Sequence, residues 1–336
     1  MVLNFLENIS LRPYNTFGID VNAKKFIAVS STDELIAVLN QNPSENLLLI
    51  GGGSNLLLTK DFDGLTIKME NRGMEILEDD PKGVTVKVAA GENWHDFVLW
   101  CLENDYGGVE NLALIPGNVG AAPIQNIGAY GVELQSVFLS CETVSIPDGK
   151  VSTFYKADCE FGYRNSIFKN ALKGECILTS VVFRLTKAPH NINTSYRGIG
   201  EKMKGKSINI QNIAQAVIEI RSEKLPDPKV IGNSGSFFKN PLIPQNQFFE
   251  LKKQYPLIPH YPDSEGKVKI PAAWLIDTLG YKGYRVNDAG VHQNQALVLV
   301  NYGSAKGAEI KNLAQEIQLK VMENFGIALE FEVNIL

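Results

Sequence analysis

Three consecutive glycines, Gly51–Gly53, stand directly after the apolar run Leu47–Ile50 and are followed by Ser54 and Asn55. Glycine lets backbone N–H groups converge on one point and lets the chain approach a ligand closely, because no Cβ intervenes. Such a group of amides suits a diphosphate. The segment therefore predicts either a phosphate-binding turn or a tight turn between two strands. It is not a Rossmann fingerprint, since the pattern G-x-G-x-x-G is absent.

A second segment, Ile115–Gly131, is rich in glycine, alanine and proline and contains no charged residue. We call it the neutral segment. Small uncharged residues make a poor solvent-facing loop and a poor core, but they let backbone wrap closely round a large planar ligand. The alternative is a buried crossover built of small residues.

The string Gly200–Ser207 matches the phosphate-binding pattern G-x-x-x-x-G-K-S letter for letter. That motif works only where an apolar strand feeds the loop and a helix follows it. The preceding residues 193–199 do not form an apolar strand, and Glu201 would oppose a phosphate charge. We therefore interpret the string as a solvated loop and reject a nucleotide-hydrolysing site.

Composition excludes several classes of protein. The chain has 336 residues with 44% apolar and 21% charged residues, which is typical of folded globular proteins, and its net charge of −5 argues against nucleic acid or an anionic membrane as the main partner. No run approaches the ~20 apolar residues of a membrane helix, and no export signal is visible. The four cysteines and four histidines are too scattered for a metal site. We expect a cytoplasmic protein without a metal.

The elements that must position these segments follow from local patterns. Ser31 and Glu34 form a capping-box signature that predicts a helix to about Asn40, and Leu47–Ile50 predicts a buried strand. Pro147–Lys150 predicts a hairpin turn, and the polar stretch Thr186–Ser207 predicts a long loop. Further strands are expected near 65–69, 84–90, 177–185, 296–301 and 328–335, and further helices near 93–103, 213–222, 247–254, 272–279 and 305–324. The chain is predicted to be α+β, with two or three lobes.

In order along the chain, long motifs resemble the UDP-N-acetylenolpyruvoylglucosamine reductase family, and in particular its subclass with a substrate-closing tyrosine loop. The resemblance spans nearly the whole chain. It rests on RPYNTFG (12–18), the segment Gly51–Asn55, which we call the glycine turn, GENWH (91–95), ENLALIPG (110–117), 123–131, FGYRNSIF (161–168), KLPDPK (224–229), GNSGSFFKNP (232–241) and LEFEV (329–333).

The resemblance implies an FAD-binding region of the vanillyl-alcohol-oxidase (PCMH) type over residues 13–187, with lobes of about 1–66 and 67–200. It implies a C-terminal α+β substrate-binding domain over residues 205–336, whose last strand carries a catalytic glutamate. It also implies that NADPH reduces FAD, and that reduced FAD then delivers hydride to the enolpyruvyl group of UDP-N-acetylglucosamine enolpyruvate. From the composition we expect no nucleic-acid or membrane partner, and we expect a monomer.

Three catalytic residues follow from the resemblance. Hydride addition leaves negative charge beside the substrate carboxylate, and stabilising such charge is usually the largest catalytic term. Arg164 is expected to grip the carboxylate, because a guanidinium can donate two parallel hydrogen bonds. Ser236 resembles the family's proton donor, and Glu332 matches its catalytic glutamate. Glu330 would share a strand face with Glu332 by two-residue alternation, so alignment decides between them.

The remaining site residues are also carried over from the family. The expected FAD-binding residues are Gly51, Gly52, Gly53, Ser54, Asn55, Pro116, Gly117, Gly120, Ile124, Gln125, Asn126, Gly128, Tyr130 and Gly131. The expected substrate-binding residues are Tyr196, Arg221, Lys224, Asn240, Tyr261 and Lys282. The alternative functions are an FAD-dependent oxidase of the same superfamily and a non-catalytic nucleotide-binding module.

Overall fold

The computed structural model describes residues 3–42, 46–262 and 266–336. They form two compact units: the first holds the residues up to Ile9, Ala23–Gly52 and Phe62–Ser222, and the second holds Ser10–Asn22, Gly53–Asp61 and Glu223–Leu336. The helices are α1 (Thr32–Gln41), α2 (Trp94–Glu103), α3 (Arg197–Lys202), α4 (Ile210–Lys224), α5 (Gln245–Gln254), α6 (Ala272–Thr278) and α7 (Gly307–Phe325).

The strands, numbered in chain order, are β1 (Leu6–Ser10), β2 (Asn22–Val29), β3 (Leu47–Ile50), β4 (Leu56–Leu57), β5 (Phe62–Met69), β6 (Met74–Asp80), β7 (Gly83–Ala89), β8 (Gly128–Ala129), β9 (Val132–Glu133), β10 (Phe138–Ser145), β11 (Val151–Tyr155), β12 (Cys176–Thr186), β13 (Gly232–Ser236), β14 (Leu242–Ile243), β15 (Tyr261–Pro262), β16 (Val268–Lys269), β17 (Arg285–Val286), β18 (Ala289–Val291), β19 (Val298–Asn301) and β20 (Asn334–Ile335).

A four-stranded sheet of the first unit, in the order β1-β2-β5-β3, carries Gly51 and Gly52 directly after β3. Strand β5 runs parallel to both β2 and β3. Helix α1 begins after Ser31, whose Oγ accepts a hydrogen bond from the amide of Glu34 at 3.1 Å, as the capping signature predicts. Its apolar face packs against this sheet, and the core there includes Val29, Leu35, Val38 and Ile67.

A five-stranded antiparallel sheet in the order β11-β10-β12-β7-β6 forms the rest of the first unit's framework. The predicted hairpin is confirmed, since β10 pairs with β11. Helix α2 packs on this sheet through Phe97, whose ring lies 4.9 Å from that of Phe183 on β12. Trp94 donates its indole N–H to the carbonyl of Leu112 at 2.9 Å, so the start of α2 is tied to the residues that precede the neutral segment.

The second unit is built on an antiparallel sheet in the order β13-β19-β18-β17. Its core joins this sheet to α6 and α7, with Phe237, Leu275, Leu299 and Ile317 all buried. Helix α7 ends at Phe325 and is capped by Gly326, which has a φ of +63° and is therefore in the left-handed conformation that glycine adopts at no steric cost.

The α+β fold class is confirmed, but three local predictions are wrong. Leu49 of β3 is 42% exposed, because β3 is the edge strand of its sheet and only alternate residues face the core. The stretch 186–207 contains α3, because Ile199 and Met203, one helical turn apart, bury their side chains. The strand predicted over 328–335 is reduced to β20, because this segment bonds first to Phe237 and then to Asn55 instead of following one ladder.

Candidate functional site

The first half of the glycine turn packs against the start of the neutral segment. A Cβ on Gly52 would lie 2.8 Å from the Cα of Gly117 and 2.9 Å from Oδ1 of Asn118, so a side chain does not fit there. On the neighbouring strand, the ammonium of Lys68 donates to the carbonyl of Gly51 at 2.8 Å. The half-buried position of Lys68 lowers its pKa by desolvation. The two glycine-rich segments of the sequence therefore meet, with a cation beside them.

The second half of the turn requires glycine for a different reason. Gly53 has a φ of +61°, and a Cβ there would lie 2.0 Å from the carbonyl oxygen of Tyr14. Within the described ranges, the amide N–H groups of Gly52, Gly53 and Ser54 donate to no acceptor of the chain, and these residues are not buried. Successive free amides of this kind can bind phosphate oxygens. The turn thus has the donors that a diphosphate needs.

The neutral segment is fixed to its surroundings by backbone bonds. Gly120 donates to the carbonyl of Ala90 at 2.9 Å, and a Cβ at Gly120 would come within 2.5 Å of the Ala90 side chain. Ser166 donates to the carbonyl of Ile124 at 2.6 Å. Pro116 and Ala121 are exposed, whereas Val119 and Ala122 are buried in the core. The segment therefore has one buried face and one open face, as a wall beside a ligand requires.

Asn126 holds the neutral segment from behind. It is fully buried with a φ of +44°, and its amide donates to Glu133 at 2.9 Å and to the carbonyl of Gly162 at 3.1 Å. Its side-chain oxygen accepts from the amide of Gln135 at 3.0 Å. These bonds occupy both the nitrogen and the oxygen of the Asn126 amide, so the side chain supports the segment. Any contact of Asn126 with a ligand would therefore be made by its backbone.

Arg164 occupies a strained turn next to the neutral segment. Its φ is +54°, an unusual value for a residue with a side chain, and Gly162 and Asn165 exchange two backbone hydrogen bonds around it. Its guanidinium donates to the carbonyl of Gly128 at 2.7 Å. Strained residues of this kind cluster at functional sites. The turn holds a cation at the edge of the neutral segment.

Arg221, Tyr130 and Tyr196 are brought together in the same unit. The Tyr130 and Tyr196 rings lie 4.9 Å apart in an edge-to-face arrangement. Burial lowers the pKa of Arg221, the hydrogen-bonded Tyr130 hydroxyl opposes this shift, and repulsion from Arg164 adds to it. Burial also raises the pKa of Tyr130. Two guanidinium groups close enough to repel each other form a site suited to an anion.

Asn111, which is not among the residues predicted from the sequence, joins two parts of this site. Its side-chain amide donates to the carbonyls of Tyr130 and Asn193, each at 3.0 Å. Asn193 in turn donates to the carbonyl of Gly131 at 3.0 Å. The residues before Tyr196 are therefore fastened to the end of the neutral segment. The only local signal was the position of Asn111 inside the motif ENLALIPG.

In the second unit, Ser236 and Glu332 come close along the backbone. Ser236 lies opposite Val298, and one extra residue in β13 separates this pair from Asn233 opposite Val300. Gly235 makes this bulge possible with a φ of +69°. The amide of Glu332 donates to the carbonyl of Phe237, the residue after Ser236, at 2.9 Å. Both side chains are half-buried.

Glu330 and Glu332 differ in their surroundings and in their exposure. Glu330 pairs with Lys239 at 2.8 Å, and its side chain is 72% exposed. Glu332 is half-buried, and its carbonyl accepts from Asn55 at 3.1 Å. Phe331 between them forms an isolated antiparallel bridge with Phe238, so the two-residue alternation stays a prediction, and the lower exposure of Glu332 favours it over Glu330 for a role in a site.

The other predicted substrate residues of the second unit have diverse surroundings. Asn240 accepts through Oδ1 from the amide of Ala272 at 2.9 Å and so caps α6. Lys282 pairs with Asp277 at 2.5 Å, while Lys224 and Tyr261 are exposed. Within the residues that the structure describes, no cluster of three or more metal-ligating side chains occurs, and none of the helices there has the length and apolar character needed to cross a bilayer.

Comparison with known proteins defines the class. The model of an FAD binding domain matches residues 23–155, which include the glycine turn and the neutral segment. The model of the UDP-N-acetylenolpyruvoylglucosamine reductase C-terminal domain matches residues 227–336, which carry Ser236 and Glu332. The chain is therefore a flavoprotein, and its C-terminal domain matches that of a reductase.

Full-length relatives define the family. UDP-N-acetylenolpyruvoylglucosamine reductase of Flavobacterium johnsoniae is 52% identical over 333 residues, which cover 98% of this chain and 99% of that protein. The reductase of Amoebophilus asiaticus is 50% identical, covering 99% of this chain and all of the relative. The chain belongs to the UDP-N-acetylenolpyruvoylglucosamine reductase family, as the sequence motifs predict. Membership of the tyrosine-loop subclass stays a prediction.

A solved structure supports the fold. The reductase of Thermus caldophilus superimposes with a TM-score of 0.68 at 24% identity, over 100% of this chain and 99% of that one. At this identity the similarity concerns the fold alone. Together with the two family models, it confirms the predicted combination of an FAD-binding region and a C-terminal α+β domain.

Proposed function

We propose that this chain reduces the enolpyruvyl group of UDP-N-acetylglucosamine enolpyruvate to give UDP-N-acetylmuramate, in the synthesis of peptidoglycan precursors. The observation that carries this proposal is the full-length identity of 52% to a reductase of that name. FAD is the bound cofactor and NADPH the reductant. An oxidase of the same superfamily is not favoured, because the reductase C-terminal domain model matches the whole of residues 227–336.

The residues present fit FAD. The amides of Gly52, Gly53 and Ser54 have no acceptor among the described residues and would bind the diphosphate, with the Lys68 ammonium adding positive charge at Gly51. The open face of the neutral segment would line the rest of the cofactor. Bound FAD would supply the hydride-transfer chemistry between the nicotinamide and the enolpyruvyl double bond. The neutral segment has no charged side chain that would interfere with the binding of FAD.

Arg164 holds the carboxylate of the enolpyruvyl group. Hydride addition at the terminal carbon places negative charge on the carbon beside that carboxylate, and a fixed guanidinium stabilises the resulting enolate. The strained turn and the bond to the Gly128 carbonyl support this role, because they fix the Arg164 guanidinium before substrate binds. Arg221 binds phosphate oxygens nearby, Tyr130 contacts the flavin or the substrate beside it, and Tyr196 covers the nucleotide.

Ser236 donates the proton that converts the enolate into product. Within the described residues its hydroxyl makes no hydrogen bond, so it is available to a substrate. Glu332, whose backbone is bonded to the residue after Ser236, assists in its protonated form or orients the substrate. Lys224, Asn240, Tyr261 and Lys282 complete the nucleotide-sugar contacts.

We further propose the division into residues 13–187, with lobes of about 1–66 and 67–200, and residues 205–336, for a monomeric enzyme in the cytoplasm. The absence of a bilayer-crossing helix among the described residues is compatible with this location.

A spectroscopic experiment tests the proposed function. The purified chain should be yellow, anaerobic NADPH should bleach the flavin absorbance, and UDP-N-acetylglucosamine enolpyruvate should restore it. Recovery of colour with oxygen, but not with the enolpyruvyl substrate, would instead indicate an oxidase. A chain that neither contains nor takes up FAD would contradict the proposal altogether.

A further inference from the structure

His95 lies near the start of α2 and accepts a hydrogen bond at Nδ1 from the amide N–H of Leu114, at 3.0 Å. A backbone N–H is always a donor, so Nδ1 must be unprotonated and the ring proton must lie on Nε2. The structure thus defines the tautomer of this half-buried histidine. No role of the proposed mechanism uses His95.

Leu114 adopts a backbone conformation that its side chain disfavours. Its φ is +58°, in the left-handed region that glycine enters freely and other residues enter at a steric cost. Such a conformation persists only where surrounding contacts enforce it. The bond from the Leu114 amide to His95 is one such contact, and it joins α2 to the start of the neutral segment.

The carbonyl of Leu114 accepts from Nε of Arg221 at 3.2 Å. One residue therefore links His95 through its N–H to Arg221 through its C=O. Arg221 also interacts with Tyr130 and is repelled by Arg164, so its guanidinium needs a fixed acceptor to stay in place between them. The geometry of Leu114 sets where that acceptor points.

We propose that His95 is a positioning residue, which in its neutral form holds Leu114 in the left-handed conformation and thereby orients the Arg221 guanidinium toward an anionic ligand. The chemical class of that ligand is a diphosphate ester, an assignment that rests on the proposed function. Protonation of Nδ1 would place an N–H against the N–H of Leu114 and end the interaction.

The charges around His95 set the direction of its titration. Burial lowers the pKa of His95, Asp96 on the same helix raises it, and Arg221 from α4 lowers it. The neutral form therefore predominates above the ordinary histidine pKa of 6.5, and protonation follows as the pH falls below it. The apparent KM for the nucleotide-sugar substrate should rise in the same direction.

Two amide variants separate positioning from mere space-filling. In His95→Asn the amide oxygen can take the place of Nδ1, whereas in His95→Gln the extra methylene carries it away from that place. We expect His95→Gln to raise the substrate KM about tenfold or more, because the hydrogen bond that orients the charged Arg221 through Leu114 is lost. The change in kcat should be smaller. His95→Asn should keep the KM near the wild-type value and remove its increase below pH 6.5.

Leu114→Gly provides a readout that does not depend on activity. Glycine adopts a φ of +58° without a restraining contact, so the loss of melting temperature caused by His95→Gln should be smaller in the Leu114→Gly background than in the wild type. Additive losses, or equal KM values in the two amide variants, would overturn the role of His95. If the wild-type chain does not reduce the enolpyruvyl substrate, the proposed function fails while this thermal cycle still tests the link between His95 and Leu114.

Discussion

Asn55 and Glu332 are 277 positions apart in the chain, yet the side-chain amide of Asn55 donates to the main-chain carbonyl of Glu332 at 3.1 Å. The carbonyl of Asn55 in turn accepts from the backbone amide of Asn334 at 3.2 Å and from its side chain at 3.0 Å. The parallel pairing of β4 with β20 continues this contact. The end of the glycine turn and the segment of the proposed catalytic glutamate are thus fixed to each other within the second unit.

Removal of this link should lower both the stability of the fold and the rate of catalysis. We expect Asn55→Ala to cost about 1 kcal/mol of unfolding free energy, as for one lost hydrogen bond, and to lower kcat because Glu332 is less well fixed. Chemical denaturation and steady-state kinetics measure the two effects. Asn324→Ala, which removes a side-chain to backbone bond on the exposed end of α7, is the matched control and should leave kcat unchanged. An unchanged kcat in Asn55→Ala would contradict this account of Glu332.

Ser236→Ala should divide the two half-reactions. Reduction of the flavin by NADPH should continue, whereas transfer to the enolpyruvyl substrate should slow by roughly 10²–10⁴-fold, the range for a lost general acid. Stopped-flow absorbance measures each step separately. Ser234→Ala is the control, because the Ser234 hydroxyl is buried and has no hydrogen-bond partner in the described part of the chain. Equal slowing of both steps would exclude Ser236 as the donor.

Lys68→Met should weaken FAD binding. The variant removes the cation bonded to the Gly51 carbonyl, so the turn loses both a restraint and a positive charge near the proposed diphosphate. We expect the Kd for FAD to rise about tenfold, as for a lost charge-assisted bond, when the apoprotein is titrated and flavin fluorescence is followed. Lys320→Met removes the same charge from the exposed face of α7 and should not change the Kd. A similar Kd in both variants would show that Lys68 has no such role.

Acid should destabilise the protein through His292 as well as His95. Burial lowers the pKa of both side chains below 6.5, so the folded state binds fewer protons than the unfolded state in acid. The free energy of unfolding that they contribute is fully present above pH 6.5 and is lost as the pH falls through their folded-state values. Melting temperatures measured between pH 5 and 7 should vary less in His292→Gln than in the wild type. An unchanged pH dependence of the melting temperature in His292→Gln would contradict the prediction.

Local sequence signals predicted the framework because the forces that form it are local. The Ser31 cap and the hairpin turn at residues 147–150 depend on neighbouring residues only, and both occur as predicted. The meeting of Gly52 with Gly117 and the bond between Asn55 and Glu332 depend on chain segments that are distant in sequence. No local pattern encodes them, so only the family resemblance indicated that these segments belong together.

The positioning residues were harder to predict for a related reason. His95 and Leu114 stand in motifs that the sequence analysis quoted, but the left-handed conformation of Leu114 has no signature, since glycine and not leucine is the residue that normally marks it. Lys68 belongs to an ordinary strand pattern and becomes notable only when its ammonium is seen at the Gly51 carbonyl. The motifs indicated residues that are expected to contact ligands. They did not indicate the residues that fix those side chains in position.

Because β13 contains one extra residue, the number of residues in this strand is a stronger constraint than the identity of their side chains. Asn233 and Ser236 face the same neighbouring strand across one surplus position, and Gly235 absorbs it. Deleting that position would remove the bulge, and with it the local bend that sets the direction of the Ser236 side chain. Random mutagenesis should therefore recover active clones with substitutions at Ser234 but none with a one-codon deletion between Asn233 and Ser236.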